Sequence, residues 1–355
     1  MRNSWGDSWG VCALIITCAV LSINIQAKDN AVILVYHHVS NNTPKMTSVS
    51  SDTFRQHMQY LAKHHQVLPL KQVIETLQNN QPLPDKAVVI TFDDGYDNIY
   101  DNAHPILKEF AFPYTIFVNP ALIGTKSYQL NWQQVKLMAT EQASFANHGK
   151  QHNHLLSKNI GESKQDWLSR NMQDIEDAEK MLQQKIGYSL KYFAYPYGEF
   201  DKQLKIQLSA QGYIGFAQHS GAIASYSDFS ALPRFPAAGI YSKIDTLKVK
   251  LNSMAMPVTD VFPDDPKVEL PVQDQELTFS IKTKDLTLQQ INCFQNSNVL
   301  SKSINENTIS VSLQPIIKPG RHRVNCTAPS IGEKGRHYWF SQPFFVPTAQ
   351  GKWLD

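Results

Sequence analysis

The sequence has no excess of charge of either sign and no long run of basic residues. Its 33 Lys and Arg nearly balance its 31 Asp and Glu, which leaves a formal net charge of +2 over 355 residues. A nucleic-acid partner or an anionic membrane surface requires a strongly basic face, so the composition supports neither. Repeats of solenoid length are also absent. The chain is long enough, and at 42% hydrophobic residues apolar enough, for one large and one small globular domain.

Cysteine is scarce, with four residues in the whole chain. Cys12 and Cys18 lie close to the amino terminus, and neither Cys293 nor Cys326 has a partner at the spacing of a zinc site. An even pair of cysteines fits an oxidising compartment. We therefore expect a disulfide between Cys293 and Cys326 that ties strands across the core of a carboxy-terminal domain. Two free buried thiols are the alternative.

Long apolar runs are missing except near the amino terminus. Residues 11–25 are apolar and uncharged, about the length of a signal-peptide core and short for a bilayer span. They lead to Ala27, a small residue that suits a cleavage site. We predict a signal peptide over residues 1–27, with export to the periplasm or the exterior. A retained anchor is the alternative.

Apolar runs of strand type alternate with stretches of helical periodicity from the cleavage site to about residue 255. This alternation predicts an α/β domain over residues 28–255, with a parallel sheet that is open or closed into a barrel. Strands are predicted at 31–36, 88–92, 114–118, 144–147, 192–195 and 214–217, and helices from Asp52 (capped by Ser51 or Asp52) and at 70–77, 104–110 and 163–186.

The composition and the hydrophobic pattern of the sequence change beyond residue 255. Prolines and acidic residues between 256 and 270 predict a linker. Short alternating runs separated by turn residues follow it. They predict a small all-β, immunoglobulin-like sandwich over residues 271–355.

Two adjacent carboxylates end the predicted strand at 88–92. Burying Asp93 and Asp94 together is costly unless they share a cation or a proton. Further on, His148 and His152 are four residues apart, so on one helical turn both imidazoles would face the same way. Two imidazoles and one carboxylate suit a divalent metal, with zinc first and cobalt or nickel after it. A metal could bind one aspartate while the other stays free for proton transfer.

Three ordered motifs resemble those of a known family. Thr91–Gly95, His148–His152 and Phe193–Gly198 look like the first three motifs of the polysaccharide deacetylase family (NodB homology, carbohydrate esterase family 4). The resemblance covers about residues 31–250. It implies a distorted (β/α) barrel and metal-dependent removal of N-acetyl groups from a sugar polymer. By resemblance, the general base is Asp93 and the metal ligands are Asp94, His148 and His152.

The third motif suggests further roles and carries one departure. By analogy with the family, the backbone N–H of Tyr197 would hold the tetrahedral oxyanion, and Gly198 would let the backbone approach the substrate closely. Many members carry an arginine in this motif that orients the base, and Ala194 stands near its place. Arg234 is the predicted replacement, and a plain surface arginine is the alternative.

The second departure concerns the general acid. The family's carboxy-terminal histidine motif is missing, since residues 247–251 contain no histidine. However, Leu34–His37 resembles the exopolysaccharide-modifying branch, the poly-N-acetylglucosamine deacetylases, in which the sheet is circularly permuted and this motif lies on the first strand. His37 is therefore the predicted general acid, with His38 and His219 as rivals.

These features together predict a metal-dependent deacetylase of an N-acetylglucosamine polymer, such as poly-N-acetylglucosamine, chitin oligosaccharide or peptidoglycan. A non-catalytic glycan-binding protein on the same scaffold and a deacetylase of an O-acetylated glycan are the alternatives. The expected partner is an N-acetylated polysaccharide, with association with the cell envelope and no nucleic acid. Tyr128, Trp132 and Tyr241 could line a sugar groove or pack in the core.

Overall fold

The computed structural model describes residues 1, 27–268, 276–316 and 318–354. The predicted signal peptide lies almost entirely outside the described residues, so its cleavage and the export of the protein stay predictions. In the part of the chain that the structure describes, no helix is long and apolar enough to cross a membrane.

The first domain alternates strands and helices, as the sequence pattern predicts. A π-helical turn at Ile99–Ala103 runs into its third helix. The elements are β1 (Ala27–Lys28), β2 (Ala31–Tyr36), β3 (His38–Val39), β4 (Ser48–Val49), α1 (Ser51–His64), β5 (Gln66–Val67), α2 (Leu70–Gln78), β6 (Leu83–Pro84), β7 (Ala87–Phe92), α3 (His104–Glu109), β8 (Tyr114–Val118), α4 (Trp132–Ala139), β9 (Ala143–Asn147), α5 (Lys164–Ile186), β10 (Tyr192–Ala194), α6 (Lys202–Ala210), β11 (Ile214–Phe216), β12 (Phe235–Pro236) and α7 (Ile244–Leu251).

A curled parallel sheet forms the centre of this domain. Its strand order is β11-β10-β9-β8-β7-β2-β12, with β5 also beside β7. Every residue of β2 and β7 is buried, as expected for parallel strands covered on both faces. The segment Leu232–Pro236 contacts both edges of the sheet, because Leu232 bridges to Phe216 while Phe235 and Pro236 pair with β2. This arrangement fits the distorted (β/α) barrel implied by the resemblance.

Local sequence signals explain most of these boundaries. All six predicted strands are present, each within one residue of its predicted ends. Ser163 caps α5 by accepting a hydrogen bond from the backbone N–H of Asp166. The cap of α1 was predicted one or two residues too late: Ser50 accepts from the N–H of Thr53, so the helix already begins at Ser51.

The second domain consists of two sheets around a shared hydrophobic cluster. The five-stranded sheet has the order β13-β21-β20-β16-β17 and the four-stranded sheet the order β14-β15-β19-β18. Their likeness to an immunoglobulin sandwich stays a prediction. The strands are β13 (Ser253–Ala255), β14 (Val258–Phe262), β15 (Glu276–Ile281), β16 (Asn292–Gln295), β17 (Asn298–Val299), β18 (Lys302–Asn305), β19 (Thr308–Ser312), β20 (Gly320–Pro329) and β21 (His337–Val346).

The region between the domains differs from the sequence-based expectation. Strand β14 lies inside the stretch predicted as a linker and pairs antiparallel with β15. Pro257 and Pro263 stand just outside its two ends, where a strand tolerates proline, so the proline content did not signal a linker there. Strand β13, assigned by sequence to the first domain, pairs parallel with β21 and so belongs to the second domain's sheet.

A disulfide joins Cys293 and Cys326, as predicted, but within one sheet. The two cysteines are directly opposite each other on β16 and β20, with their Cα atoms 4.0 Å apart. Both side chains are buried in the cluster shared by the two sheets. The expectation of a bond across the core was wrong, because the register of these neighbouring strands already brings the two Cβ atoms together.

Candidate active site

The candidate site residues gather at the carboxyl ends of the barrel strands. His37 follows β2, Asp93 and Asp94 follow β7, and His148 follows β9. Tyr197 stands in the short 3₁₀ turn that comes after β10. Loops at this end of a parallel barrel are free to vary while the strands stay rigid, which is why such barrels place their chemistry there.

Three side chains converge as a group that could hold a metal ion, here named the metal triad: Asp94, His148 and His152. The Nε2 atoms of both histidines lie 3.2 Å from Oδ1 of Asp94. His148 is fully buried, whereas His152 is partly open to solvent. A triad with one open side suits a metal that keeps positions for water and substrate.

The hydrogen bonds around His148 test whether a cation fits. Its Nδ1 lies 2.8 Å from the carbonyl oxygen of Ala194, so Nδ1 carries the proton and donates. In the neutral ring, Nε2 then presents a lone pair to the Asp94 carboxylate. Neither Nε2 of His148 nor Oδ1 of Asp94 has a hydrogen-bond partner, although both atoms are buried. Two facing acceptors without a donor between them are the arrangement that a bound cation stabilises.

The electrostatics of the triad agree with this fit. Burial raises the pKa of Asp94, but the close imidazoles of His148 and His152 and the charge of His37 outweigh burial, and the pKa lies well below its usual value. Burial lowers the pKa of His148, but the charges of Asp93 and Asp94 outweigh it, and the net pKa is raised. The site therefore favours positive charge between its carboxylates and imidazoles.

The two histidines meet in a loop, so the expectation of a shared helical turn was wrong. Residues 148–154 contain no helix, and His152 has a left-handed backbone with φ 58°. The side-chain amide of Asn119 holds the loop by donating to the carbonyls of His148 and Gly149. Asp174 accepts from the backbone N–H of Lys150 at 2.8 Å. These tertiary contacts, rather than helical periodicity, place the two imidazoles side by side.

Asp93 lies beside the triad and is held by Arg234. The guanidinium donates from both terminal nitrogens to the two carboxylate oxygens, at 2.7 and 2.8 Å, and both side chains are fully buried. These two parallel hydrogen bonds from Arg234 to Asp93 are here named the fork. The Nε of Arg234 donates to the carbonyl of Ala217 at 2.9 Å, which fixes the plane of the guanidinium. Arg234 lies in the segment that contacts both edges of the sheet. It is therefore an interior arginine, and the alternative of a surface arginine was wrong.

This fork decides the charge of Asp93. Burial alone raises the pKa of Asp93, but the charges of Arg234 and His148 and the hydrogen bonds from Arg234 outweigh burial, so the net pKa is lowered. Asp93 is thus ionised at neutral pH despite its burial. A bidentate arginine fixes the orientation of a carboxylate as well as its charge.

His37 stands next to Asp93 on the neighbouring strand. Tyr36 pairs with Phe92, and the N–H of Asp93 donates to the carbonyl of Tyr36 at 3.0 Å, so the next residue of each strand is adjacent. The charge of His37 is one of the influences that lower the pKa of both Asp93 and Asp94. The strand order therefore places His37 at the site, as the permuted arrangement requires.

The other two candidates for the general acid, His38 and His219, have imidazole rings whose pKa is lowered by burial. His38 stacks on Tyr96 with ring centroids 3.7 Å apart, and burial lowers its pKa to about 4. Burial also lowers the pKa of His219 to about 4. Both rings are neutral at pH 7, which does not suit a proton donor in that range.

The 3₁₀ turn places strained backbone beside the triad. Tyr197 and Gly198 have φ angles of 57° and 70°. A Cβ on Gly198 would lie 2.7 Å from Cβ of Gln218, so only glycine fits there. The ring of Tyr197 stacks on His154 and contacts His152 edge-on, with centroids 3.9 and 4.5 Å apart.

Several contacts in the site had no signal in the sequence. Gln218 donates from Nε2 to Oδ2 of Asp93 at 3.4 Å, and Glu199 accepts from His154 and from Arg321 of the second domain. A lone glutamine or a distant arginine carries no motif. Of the aromatic residues predicted to line a sugar groove, Tyr128 is exposed, Tyr241 lines a cleft between the domains, and Trp132 is packed partly into the core.

Comparison with known proteins agrees with this geometry. The family model described as polysaccharide deacetylase matches residues 80–215, which include the metal triad and Asp93. A poly-β-1,6-N-acetyl-D-glucosamine N-deacetylase of Staphylococcus aureus (strain MRSA252) is 28% identical over 207 residues, covering 56% of this chain and 71% of the relative.

Solved structures show the same fold for the barrel domain. The Streptococcus pyogenes deacetylase PplD in complex with acetate aligns with a TM-score of 0.56 at 24% identity, covering 62% of this chain and 98% of that one. IcaB from Ammonifex degensii aligns with a TM-score of 0.55 at 23% identity, covering 62% and 97%. The chain carries a polysaccharide deacetylase domain, is similar to the poly-N-acetylglucosamine deacetylases, and is a hydrolase of carbon–nitrogen bonds other than peptide bonds.

Proposed function

We propose that this chain removes N-acetyl groups by hydrolysis from a polysaccharide that contains N-acetylglucosamine, with the help of a divalent metal. The observation that carries the proposal is the division of the aspartate pair. Asp94 faces two imidazoles, and its Oδ1 and the Nε2 of His148 are buried without a hydrogen-bond partner, whereas Asp93 is ionised and held by an arginine fork 2.7–2.8 Å away. One carboxylate is thus built to bind a cation and the other to accept a proton.

Zinc is the metal that we propose, with cobalt or nickel as substitutes. Two imidazoles, one carboxylate and an open side are the donor set and geometry of a catalytic zinc site. A bound divalent ion would polarise the acetamide carbonyl and lower the pKa of water at the site. The Ala194 carbonyl supports His148 as a ligand by fixing its proton on Nδ1.

Asp93 acts as the general base in this proposal. A water molecule attacks the carbonyl carbon of the acetamide, and Asp93 accepts the proton that this water loses. The fork from Arg234 keeps the carboxylate ionised and aimed, and Gln218 supports Oδ2. The backbone N–H of Tyr197 is the proposed donor to the negative oxygen of the tetrahedral intermediate.

His37 is the proposed general acid. Collapse of the tetrahedral intermediate breaks the carbon–nitrogen bond, and the leaving amine needs a proton. His37 is partly exposed and adjacent to Asp93 across the paired strands, so it can exchange protons with solvent between turnovers. The products are acetate and a glucosamine unit in the polymer.

The proposed substrate is poly-N-acetylglucosamine, with chitin oligosaccharide and peptidoglycan as the other polymers to test. The proposal rests on the name of the Staphylococcus aureus relative, a poly-β-1,6-N-acetyl-D-glucosamine N-deacetylase. We also propose that the protein is exported to the periplasm or the exterior, where it meets the polymer at the cell envelope. The apolar residues 11–25 and the Cys293–Cys326 disulfide support export.

Acetate release from a panel of polymers tests the proposal. The panel contains poly-β-1,6-N-acetylglucosamine, chitin oligosaccharides, peptidoglycan and O-acetylated xylan, each with protein loaded with zinc, cobalt or nickel. We expect release from at least one N-acetylglucosamine polymer and none from xylan. Release from xylan alone would favour the O-acetyl alternative, and binding without any release would favour a non-catalytic glycan-binding protein.

A further inference from the structure

A cleft between the two domains opens at the candidate active site. It encloses about 900 Å³, near the top of the range of roughly 300–1,000 Å³ for ligand pockets. One wall consists of Tyr197, Gly198 and Gln218, from the loops after β10 and β11. Because Gln218 also donates to Asp93, the cleft begins one side chain away from the candidate base.

The opposite wall is the outer face of the five-stranded sheet. Side chains alternate between the two faces of a strand, and the even-numbered residues Val324, Cys326 and Ala328 of β20 enter the core between the sheets. The odd-numbered residues of β20 and β21 therefore point towards the barrel. Those that line the cleft are Arg321, Arg323, Asn325 and Thr327 on β20, and His337, Trp339, Pro343 and Phe345 on β21.

This sheet face combines flat aromatic rings with hydrogen-bonding side chains. Trp339 is half-buried, and an edge-on contact with Phe235 at 5.1 Å and a hydrogen bond to Ser341 fix its ring. Thr327 lies beside it on β20, and Phe294 lies beside Asn325. Rigid aromatic surface next to amides and hydroxyls suits a sugar ring, which has apolar faces and polar edges.

The cleft is basic. None of the described residues that line it is an aspartate or a glutamate. The charge of Arg321 is balanced by Glu199 at 3.0 Å, but Arg323 donates to the hydroxyl of Tyr241 at 2.8 Å and has no carboxylate partner within the described chain. The effective dielectric constant in a cleft is lower than in bulk water. The uncompensated charge of Arg323 therefore repels a cationic ligand more strongly there than it would in solvent.

We propose that this cleft binds the stretch of polymer next to the reacting unit, and that it accepts acetylated, uncharged units in preference to deacetylated, cationic ones. The inference rests on the proposed function, because it names the form of the substrate that the same site takes. Deacetylation converts a neutral acetamide into an ammonium group at neutral pH. The cleft would therefore release deacetylated stretches of the polymer and keep the enzyme bound to stretches that are still acetylated.

Two variants on the sheet face test the proposal. Phe294→Ala removes an aromatic surface at the far end of the cleft, and Arg323→Glu reverses the uncompensated charge. The matched controls are Val299→Ala, exposed on the same sheet, and Lys334→Glu, exposed outside the cleft. In the acetate-release assay, kcat/KM is measured on a long acetylated oligomer and on the disaccharide, and the first value is divided by the second. We expect Phe294→Ala to lower this ratio about tenfold, which corresponds to about 1.4 kcal/mol. The controls should keep the wild-type ratio.

Binding measurements separate this proposal from the proposed function. Calorimetric titration of long acetylated and partly deacetylated oligomers into the Asp93→Asn protein requires no turnover. We expect tighter binding of the acetylated oligomer, and Arg323→Glu on the same background should reduce or invert that preference. Equal binding of both oligomers, or cleft variants that match the controls, would overturn the cleft proposal. Absence of acetate release with this binding pattern intact would overturn only the proposed function.

Discussion

The buried fork between Arg234 and Asp93 allows a sharp prediction about both stability and catalysis. The substitution Arg234→Gln removes the charge and the bidentate geometry but keeps a polar, shorter side chain. Both partners are fully buried, and the two contacts are 2.7 and 2.8 Å long. Removing one partner of a buried ion pair leaves an uncompensated charge and typically costs about 3–5 kcal/mol. We expect a loss of that size in the free energy of unfolding at pH 7, measured by denaturant titration.

The pH dependence of this loss follows from the sign of the pKa shift. The pKa of Asp93 in the folded protein is lowered, so the pair stabilises the protein above the usual aspartate pKa of about 3.9 and loses its effect as the pH falls through the lowered value. The contribution of the pair in wild type should therefore persist down to about pH 4, whereas Arg234→Gln regains stability as the pH falls through the raised pKa of its unpaired Asp93. The difference between the two proteins should be largest at neutral pH and narrow towards acid pH. The unfolding free energies at pH 7 and at acid pH measure this directly.

The same substitution should change the pH profile of activity. Without the guanidinium, burial again raises the pKa of Asp93, so the acid limb of kcat/KM should move to higher pH. Loss of an orienting partner typically lowers activity about 10–100-fold. Arg234→Lys keeps the charge without the fork and should fall between the two proteins. The control Arg55→Gln removes an exposed ion pair with Glu109 and should change little. An Arg234→Gln protein with wild-type stability and an unmoved acid limb would refute the reasoning.

Three further predictions follow from other features. Removal of metal with a chelator should abolish acetate release and lower the melting temperature. Zinc at about 100 times its Kd should restore both and add about 2.7 kcal/mol to the free energy of unfolding. An unchanged melting temperature would contradict a resident metal. His37→Gln should lower kcat about 10²–10⁴-fold, whereas His38→Gln should leave the chemical step nearly intact; the reverse order in single-turnover assays would exchange their roles. Cys293→Ser with Cys326→Ser should destabilise the protein by about 3–4 kcal/mol in denaturant, because the bond closes a 33-residue separation; an equal denaturation midpoint would count against it.

The barrel and the position of its candidate site were largely predictable because they depend on local sequence. The buried parallel strands are continuous apolar runs, and the carboxyl end of each strand falls where its apolar run stops, as at Phe92 and Tyr36. The triad followed from residue type and from motif order. Both signals are short in sequence, so a single chain shows them.

Features that depend on distant parts of the chain were not predictable. The loop at 148–154 takes its form from Asn119 and Asp174, which no periodicity connects to it. The linker prediction failed at β14 because the partner strand β15, not the local composition, decides that the segment is extended. The disulfide was expected between the two sheets because the spacing of the cysteines in the sequence does not show that β16 and β20 are neighbours, nor that Cys293 and Cys326 are opposite each other. The contact of Arg321 with Glu199 joins residues 122 positions apart.

The assignment of one aspartate to the metal and the other to the proton is the central claim. Bound zinc and acetate release, measured on the same preparations of wild type, Asp93→Asn and Asp94→Asn, test it most directly. We predict that Asp93→Asn binds one zinc per chain and releases no acetate, whereas Asp94→Asn loses both properties. An Asp94→Asn protein that binds zinc as tightly as wild type, or an Asp93→Asn protein that still releases acetate, would contradict the claim.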